Sequence, residues 1–183
     1  MTFFHRRLTK TQMSQLLIDE LEVRFPKAVF VTAFDDTCIQ IMFSEDQDGD
    51  ILAFLLERGE TKVMIDKCRA VHYHLLFQFV ELWYSIDWST DDLRGYLEKC
   101  ARAGVTFKSV RVMKINNIRW ILGSKEEFGW LKKVFPNLNK IEYVDNDTDD
   151  LEVEAIGSDP LVSLEDTRTY LEELGIEAAT FEW

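Results

Sequence analysis

The residues best equipped for chemistry in this sequence are its runs of acids, its three histidines and its three cysteines. Asp145, Asp147, Asp149 and Asp150 crowd the segment DNDTDD, and Glu152 and Glu154 continue it. Alternate carboxylates on a turn can converge on a hard cation such as calcium. The calcium-loop pattern then breaks. Its sixth position is Asp150, where the sharp turn needs Gly, and its twelfth is Ile156, where a bidentate Glu belongs. Asp46, Asp48 and Asp50, with Glu57 behind them, match four positions of the same loop, but Ile51 stands at the Gly position. Both stretches read as solvated turn tips, and no metal is assigned to them.

His72 and His74 follow Cys68 closely enough to suggest soft-metal ligands. A closed zinc site needs four ligands, and no fourth stands at a recognised spacing. Histidines inside an aromatic, apolar stretch read as packed core residues. A nucleophilic enzyme would show a nucleophile with an activating base. There is no GxSxG, and no glycine-rich phosphate loop follows a strand. The expectation is a protein without cofactor or catalytic residues. A small metal- or Cys-dependent enzyme is the third-ranked alternative.

Charge is the most informative count. The chain of 183 residues carries a formal charge of -12. Residues 1–93 are net -7, residues 94–141 net +8 and residues 142–183 net -13. An acidic balance opposes general binding to polyanions and favours basic partners. The leading expectation is a regulatory or interaction protein whose acids Asp145, Asp147, Asp149, Asp150, Glu152 and Glu154 dock on a basic protein. The alternative uses the basic middle. Lys108, Arg111, Lys114 and Arg119 would decorate one hairpin, with Trp120 and Trp130 free to stack on bases. Against it, the strand where an RNA-recognition domain keeps its aromatics reads DLEVEAI. Internal neutralisation, with the basic segment folding against the acidic one, is the preferred reading.

The elements that must position these residues follow from periodicity. A helix is predicted over 9–25, with Met13, Leu17, Ile18, Leu21 and Phe25 on one side and Pro26 as its stop. Strands are predicted at 28–34, 37–44, 51–57 and 61–66. Their short connections imply an antiparallel meander. The stretch 70–86 reads as a helix that is apolar all round, and such a helix must be covered on both sides. Its Tyr73, Phe77, Val80 and Tyr84 are expected to form an apolar patch, suited to a symmetric homodimer. A helix over 91–103 ends at Gly104. A hairpin pairs 105–115 with 118–122 across Asn116-Asn117. Ser124 and Glu127 have capping-box spacing for the next helix. Strands at 140–144 and 151–156, a helix over 163–174 capped by Gly175, and a strand over 176–183 complete the chain.

This order predicts an α+β protein. An N-terminal helix–meander–helix unit, residues 1–88, packs on a C-terminal ferredoxin-like βαββαβ unit, residues 89–183. No sequence repeat is read between the two halves. Cys38, Cys68 and Cys100 form an odd set with no CxxC, so reduced core thiols are expected. The N-terminus MTFFHRRLTKTQ lacks the apolar run of a secretory signal, and cytoplasmic location is the default expectation. The 70–86 stretch is too short, and too interrupted by His, Gln and Glu81, to span a membrane.

Overall fold

A computed structural model describes residues 10–33, 38–66, 68–84, 92–115, 118–144 and 161–181. Helix α1 (Lys10–Arg24) presents Leu17, Ile18 and Leu21 to the core, and Phe25 closes the same stripe. Two strands follow, β1 (Val29–Ala33) and β2 (Cys38–Phe43), which pair antiparallel. Each strand from β2 to β6 is followed by a helical crossover. Helix α2 (Asp48–Glu57) leads to β3 (Lys62–Ile65). A 3-10 turn (Ala70–His72) and the short α3 (Tyr73–Leu76) lead to β4 (Glu81–Tyr84). Helix α4 (Leu93–Ala103) leads to β5 (Val112–Ile115). The short α5 (Ile118–Ile121) and α6 (Lys125–Val134) lead to β6 (Lys140–Val144). Helix α7 (Leu164–Glu173) leads to β7 (Glu177–Phe181).

The seven strands lie in one sheet in chain order, and every pair from β2 to β7 is parallel. Two expectations are corrected here. The meander is not there, because 51–57 is a helix. Its run ILAFLLE is apolar enough to be buried as either element, and periodicity cannot separate a short buried strand from a buried helix. Ile51, Leu52, Phe54 and Leu55 are buried, with Asp48 and Asp50 in the first turn, where they suit the helix dipole. As a crossover, α2 permits β2 and β3 to run parallel. The ferredoxin-like order is likewise not found. Residues 118–121 form a helix where the second strand of a hairpin was expected, and β5, β6 and β7 are parallel neighbours. The strand predicted at 151–156 lies outside the described residues. The seam expected between 88 and 89 falls between β4 and β5, which are hydrogen-bonded neighbours in the sheet.

Local signals held. Gly104 and Gly175 both adopt positive φ, +69°, just past the ends of α4 and α7. Ser124 Oγ accepts from Glu127 N, and Ser163 Oγ accepts from Asp166 N. The three cysteines are buried and stand in no disulfide.

A repeated unit emerges once the register is known. Phe79, Leu82 and Tyr84 are buried at the spacing i, i+3, i+5. So are Val110, Met113 and Ile115, and again Leu138, Ile141 and Tyr143. The sheet aligns Leu82 with Met113 and Met113 with Ile141. Each triplet enters its strand on the side where the helices pack, and all belong to one continuous core with α1, α2, α4, α6 and α7. Burying one such side chain stabilises by roughly 1.5–3 kcal/mol. Within the stretch 70–86, residues 73–84 serve this core. Tyr73, Phe77, Tyr96, Phe107 and Phe135 pack ring against ring, with Phe77 and Phe135 centroids 4.8 Å apart. Burial pushes the Tyr96 phenol up to about 12, and the neighbouring Cys100 adds to the shift.

Candidate interaction surface

Side chains alternate across a strand, so the residues between the buried ones project to the other face. Register places Gln40, Met64, Trp83, Lys114, Glu142 and Ala179 in one row across six strands. A second row holds Lys62, Glu81, Val112, Lys140 and Glu177. Parallel sheets are usually covered by helices on both faces. Here the described helices pack into the core of one face. The other face carries a small separate cluster of Cys38, Met64 and Trp83.

Charge on this second face is paired. Lys62 meets Glu81 at 3.0 Å, Lys114 meets Glu142 at 2.7 Å, and Lys140 meets Glu142 at 2.8 Å and Glu177 at 3.8 Å. The Lys114 and Glu142 side chains are only 19% and 16% exposed, so their pair is partly desolvated. Burial works to raise the Glu142 carboxyl, but hydrogen bonds from Lys114 and Lys140 outweigh it and hold the group below its ordinary value. Lys140 is raised, chiefly by its hydrogen bond to Glu142. These bonds join the basic 94–141 segment to the acidic 142–183 segment. Lys125 of α6 reaches Glu173 of α7 in the same sense. Internal neutralisation is thus visible among the described residues.

The edge formed by the carboxyl ends of the parallel strands is different. Helices that follow parallel strands run back against them, so their N-termini collect at this edge. Acids occupy the first turns: Asp48 and Asp50 in α2, Glu126 and Glu127 in α6, Glu165 and Asp166 in α7. Asp50, Glu126, Glu165 and Asp166 are exposed. Bases gather in the last turns instead, Arg102 in α4 and Lys132 and Lys133 in α6.

Two networks organise this acidic edge. Asp48 is buried and accepts from Arg69 N at 3.0 Å and Arg69 Nε at 3.0 Å. Arg69 Nη2 also donates to the Asp46 carbonyl at 2.7 Å and to His72 Nε2 at 3.1 Å. A guanidinium only donates, so His72 Nε2 is the acceptor in that contact. Asp46 itself adopts φ +69°, a left-handed conformation that Asp tolerates. Arg69 is raised by the hydrogen bond to Asp48. The second network joins α4 to α6. Arg94 bonds Glu127, whose other oxygen accepts from Gly123 N at 2.6 Å. Beside it lies a cavity of about 420 Å³ lined by Arg94, Arg102, Glu98, Glu127, Trp130 and Lys133. Both its arginines are matched by glutamates, Arg94 by Glu127 and Arg102 by Glu98.

The residues singled out by sequence are distributed unevenly. Asp145, Asp147, Asp149, Asp150, Glu152 and Glu154 lie outside the described residues. Lys108, Arg111, Lys114 and Arg119 do not share a surface. Lys108 and Arg111 are exposed ahead of β5, Lys114 is held by Glu142, and Arg119 is buried with Nε donating to the Val162 carbonyl at 3.1 Å. Tyr73, Phe77 and Tyr84 are buried in the core and Val80 is half-buried, so they do not form a surface patch. The Tyr73 and Tyr84 hydroxyls bond each other at 2.8 Å. Asp48, expected at a solvated turn, is buried against Arg69, and the His74 ring meets the Val71 carbonyl. No group of three or more potential metal ligands occurs among the described residues. None of their helices is long and apolar enough to cross a membrane.

Arg69 and the row around Lys114 escaped the sequence reading. The signal that could have found the row is the i, i+3, i+5 triplet itself, repeated at 79, 110 and 138. Periods of about 20–30 residues of this kind mark repeat architectures. No family model, no curated protein and no solved structure matches the chain.

Proposed function

We propose that this chain is a non-enzymatic interaction protein that docks on a basic protein partner in the cytoplasm. The observation that carries the reading is the collection of exposed carboxylates at one edge of the sheet. Asp50, Glu126, Glu165 and Asp166 stand there in the first turns of α2, α6 and α7. The bases beside them, Arg69, Arg94 and Lys125, are already held by Asp48, Glu127 and Glu173. Such an edge attracts a positive surface and repels phosphate. The acids Asp145, Asp147, Asp149, Asp150, Glu152 and Glu154 follow β6 in sequence, and the proposal counts them in the same docking surface. Repeated strand–helix units stacked in one line give extended surfaces of the kind that repeat proteins use for partners. Three buried cysteines outside any disulfide suit a reducing compartment.

Affinity capture on the immobilised full chain tests this. Retained proteins should be basic and should elute as salt rises. Replacing Asp50, Glu126 and Glu165 by Lys together should abolish their retention. Equal capture by that variant, or salt-dependent retention of single-stranded RNA in place of protein, would overturn the proposal.

A further inference from the structure

The sheet has two edges, and they are built differently. At β1 the strand carries a register shift between Val29 and Phe30 and follows Pro26 and Lys27. Bulges, prolines and lysines are the usual means of keeping an edge strand from pairing with another chain. Helix α1 and antiparallel β1 thus end the stack of parallel units as a cap. At the other end β7 carries none of these devices. Its sequence is EAATF, it pairs in unbroken register with β6, and it is the last strand of the sheet.

Its backbone polarity is fixed by one bond. Glu177 N donates to the Asn139 carbonyl at 2.8 Å, toward β6. Alternate residues of an extended strand turn their N–H and C=O groups to opposite sides. Residues 177, 179 and 181 therefore face β6, while Ala178 and Thr180 turn theirs outward. Among the described residues no strand lies beyond β7 to receive them.

We propose that β7 pairs with β7 of a second copy of this chain, antiparallel, about a two-fold axis through Ala179. This register sets Ala178 opposite Thr180 of the other copy, twice, as hydrogen-bonded pairs, so every outward group of the two residues in both strands is satisfied. A shift of the axis to residue 178 or 180 leaves one of the two residues without its counterpart. Ala179 then meets Ala179 as the non-hydrogen-bonded pair, the closer kind, where a small side chain fits. Glu177 falls opposite residue 181, so no like charges face each other along the strands. The register is self-complementary, as a two-fold contact requires. Helix α7 borders this edge with Glu165, Asp166, Glu172 and Glu173 against one Arg168. The two copies of α7 repel, so this association strengthens as salt rises, the opposite of docking on a basic partner.

The test is sedimentation velocity on the full chain with two variants. The wild type should reach twice 21.5 kDa in the micromolar range, more readily at high salt. Thr180→Pro removes an outward N–H only, and should weaken association by about tenfold or more with an unchanged circular dichroism spectrum. Ala179→Cys should form a covalent dimer in air, because a non-hydrogen-bonded antiparallel pair has the spacing a disulfide needs. Val31→Cys on β1 should not. The Ala179→Cys result decides the matter should Thr180→Pro fail to fold. A single copy at every concentration, a dimer indifferent to Thr180→Pro, an Ala179→Cys chain that does not cross-link, or capture of an extended peptide from another protein by β7 in place of a second copy would each overturn the proposal.

Discussion

Lys114 Nζ stands 3.5 Å from the centre of the Trp83 ring while it reaches 2.7 Å to the Glu142 carboxylate. The three residues are neighbours in register on β4, β5 and β6. One ammonium therefore ties three strands together on the face opposite the main core. Removing it leaves Glu142 with Lys140 alone in a partly desolvated place. Lys114→Met should destabilise by about 2 kcal/mol, combining a lost cation–π contact with a weakened pair. Adding Glu142→Gln should recover part of that loss. Urea denaturation of the four chains of the cycle measures the coupling, and additive losses would contradict it.

The Asp48–Arg69 pair joins the first turn of α2 to the loop after β3. Arg69→Ala strands a buried carboxylate and should cost about 3 kcal/mol. Asp48→Asn should cost less, since the amide oxygen still accepts from Arg69 N and no buried charge is left alone. Thermal unfolding ranks the two, and the reverse order would show that the Asp48 carboxylate does not depend on Arg69 for its compensation.

Gly49 lies under the His72 ring. A Cβ built there meets His72 Nδ1 at 2.6 Å. Ala is the better helix former by up to about 1 kcal/mol, so propensity alone predicts that Gly49→Ala stabilises α2. The collision predicts the opposite, a loss of roughly 1–3 kcal/mol from overpacking. In a His72→Ala background the same substitution should become stabilising. A change of sign between the two backgrounds is the readout.

Glu142 and Lys140 set a pH dependence with a known sign. The folded Glu142 carboxyl is lower than its unfolded value, so its contribution is present at neutral pH and disappears as pH falls through the folded value, below the ordinary range of about 4. The folded Lys140 ammonium is higher than its unfolded value, so its contribution is present below the ordinary range of about 10.4 and disappears as pH rises beyond it. Melting temperatures across pH should show Glu142→Gln losing most against wild type near neutrality. The gap should close below pH about 4.

What could be read without coordinates were the signals carried by a few adjacent residues. The stripe Leu17, Ile18, Leu21, the stops at Gly104 and Gly175 and the cap at Ser124 depend on backbone geometry within one or two turns. Each stands where it was expected. The charge pattern was legible too, because Lys114, Lys125 and Lys140 do find acids of the last segment. The run at 51–57 reads as a strand in sequence because six apolar residues with one terminal acid satisfy a buried strand and a buried helix equally. The 70–86 stretch hid a turn, a short helix and a strand, since each is only three or four residues long and apolar residues run through all three.

Composition and periodicity by themselves determined that this chain folds with helices and strands around a large apolar core, with acid and base in separate blocks. Only the tertiary structure decided that β2 to β7 run parallel in chain order. It also decided that Asp48 belongs to Arg69, and that Lys114 meets Trp83 and Glu142 on a common face. The reason is the length of the contacts. A cap or a helical stripe is settled within a few residues, whereas Asp48 and Arg69 are 21 residues apart and Lys114 and Glu142 lie on successive strands joined by a helix. Pairing at that range is selected by burial of the whole sheet, which no local window contains.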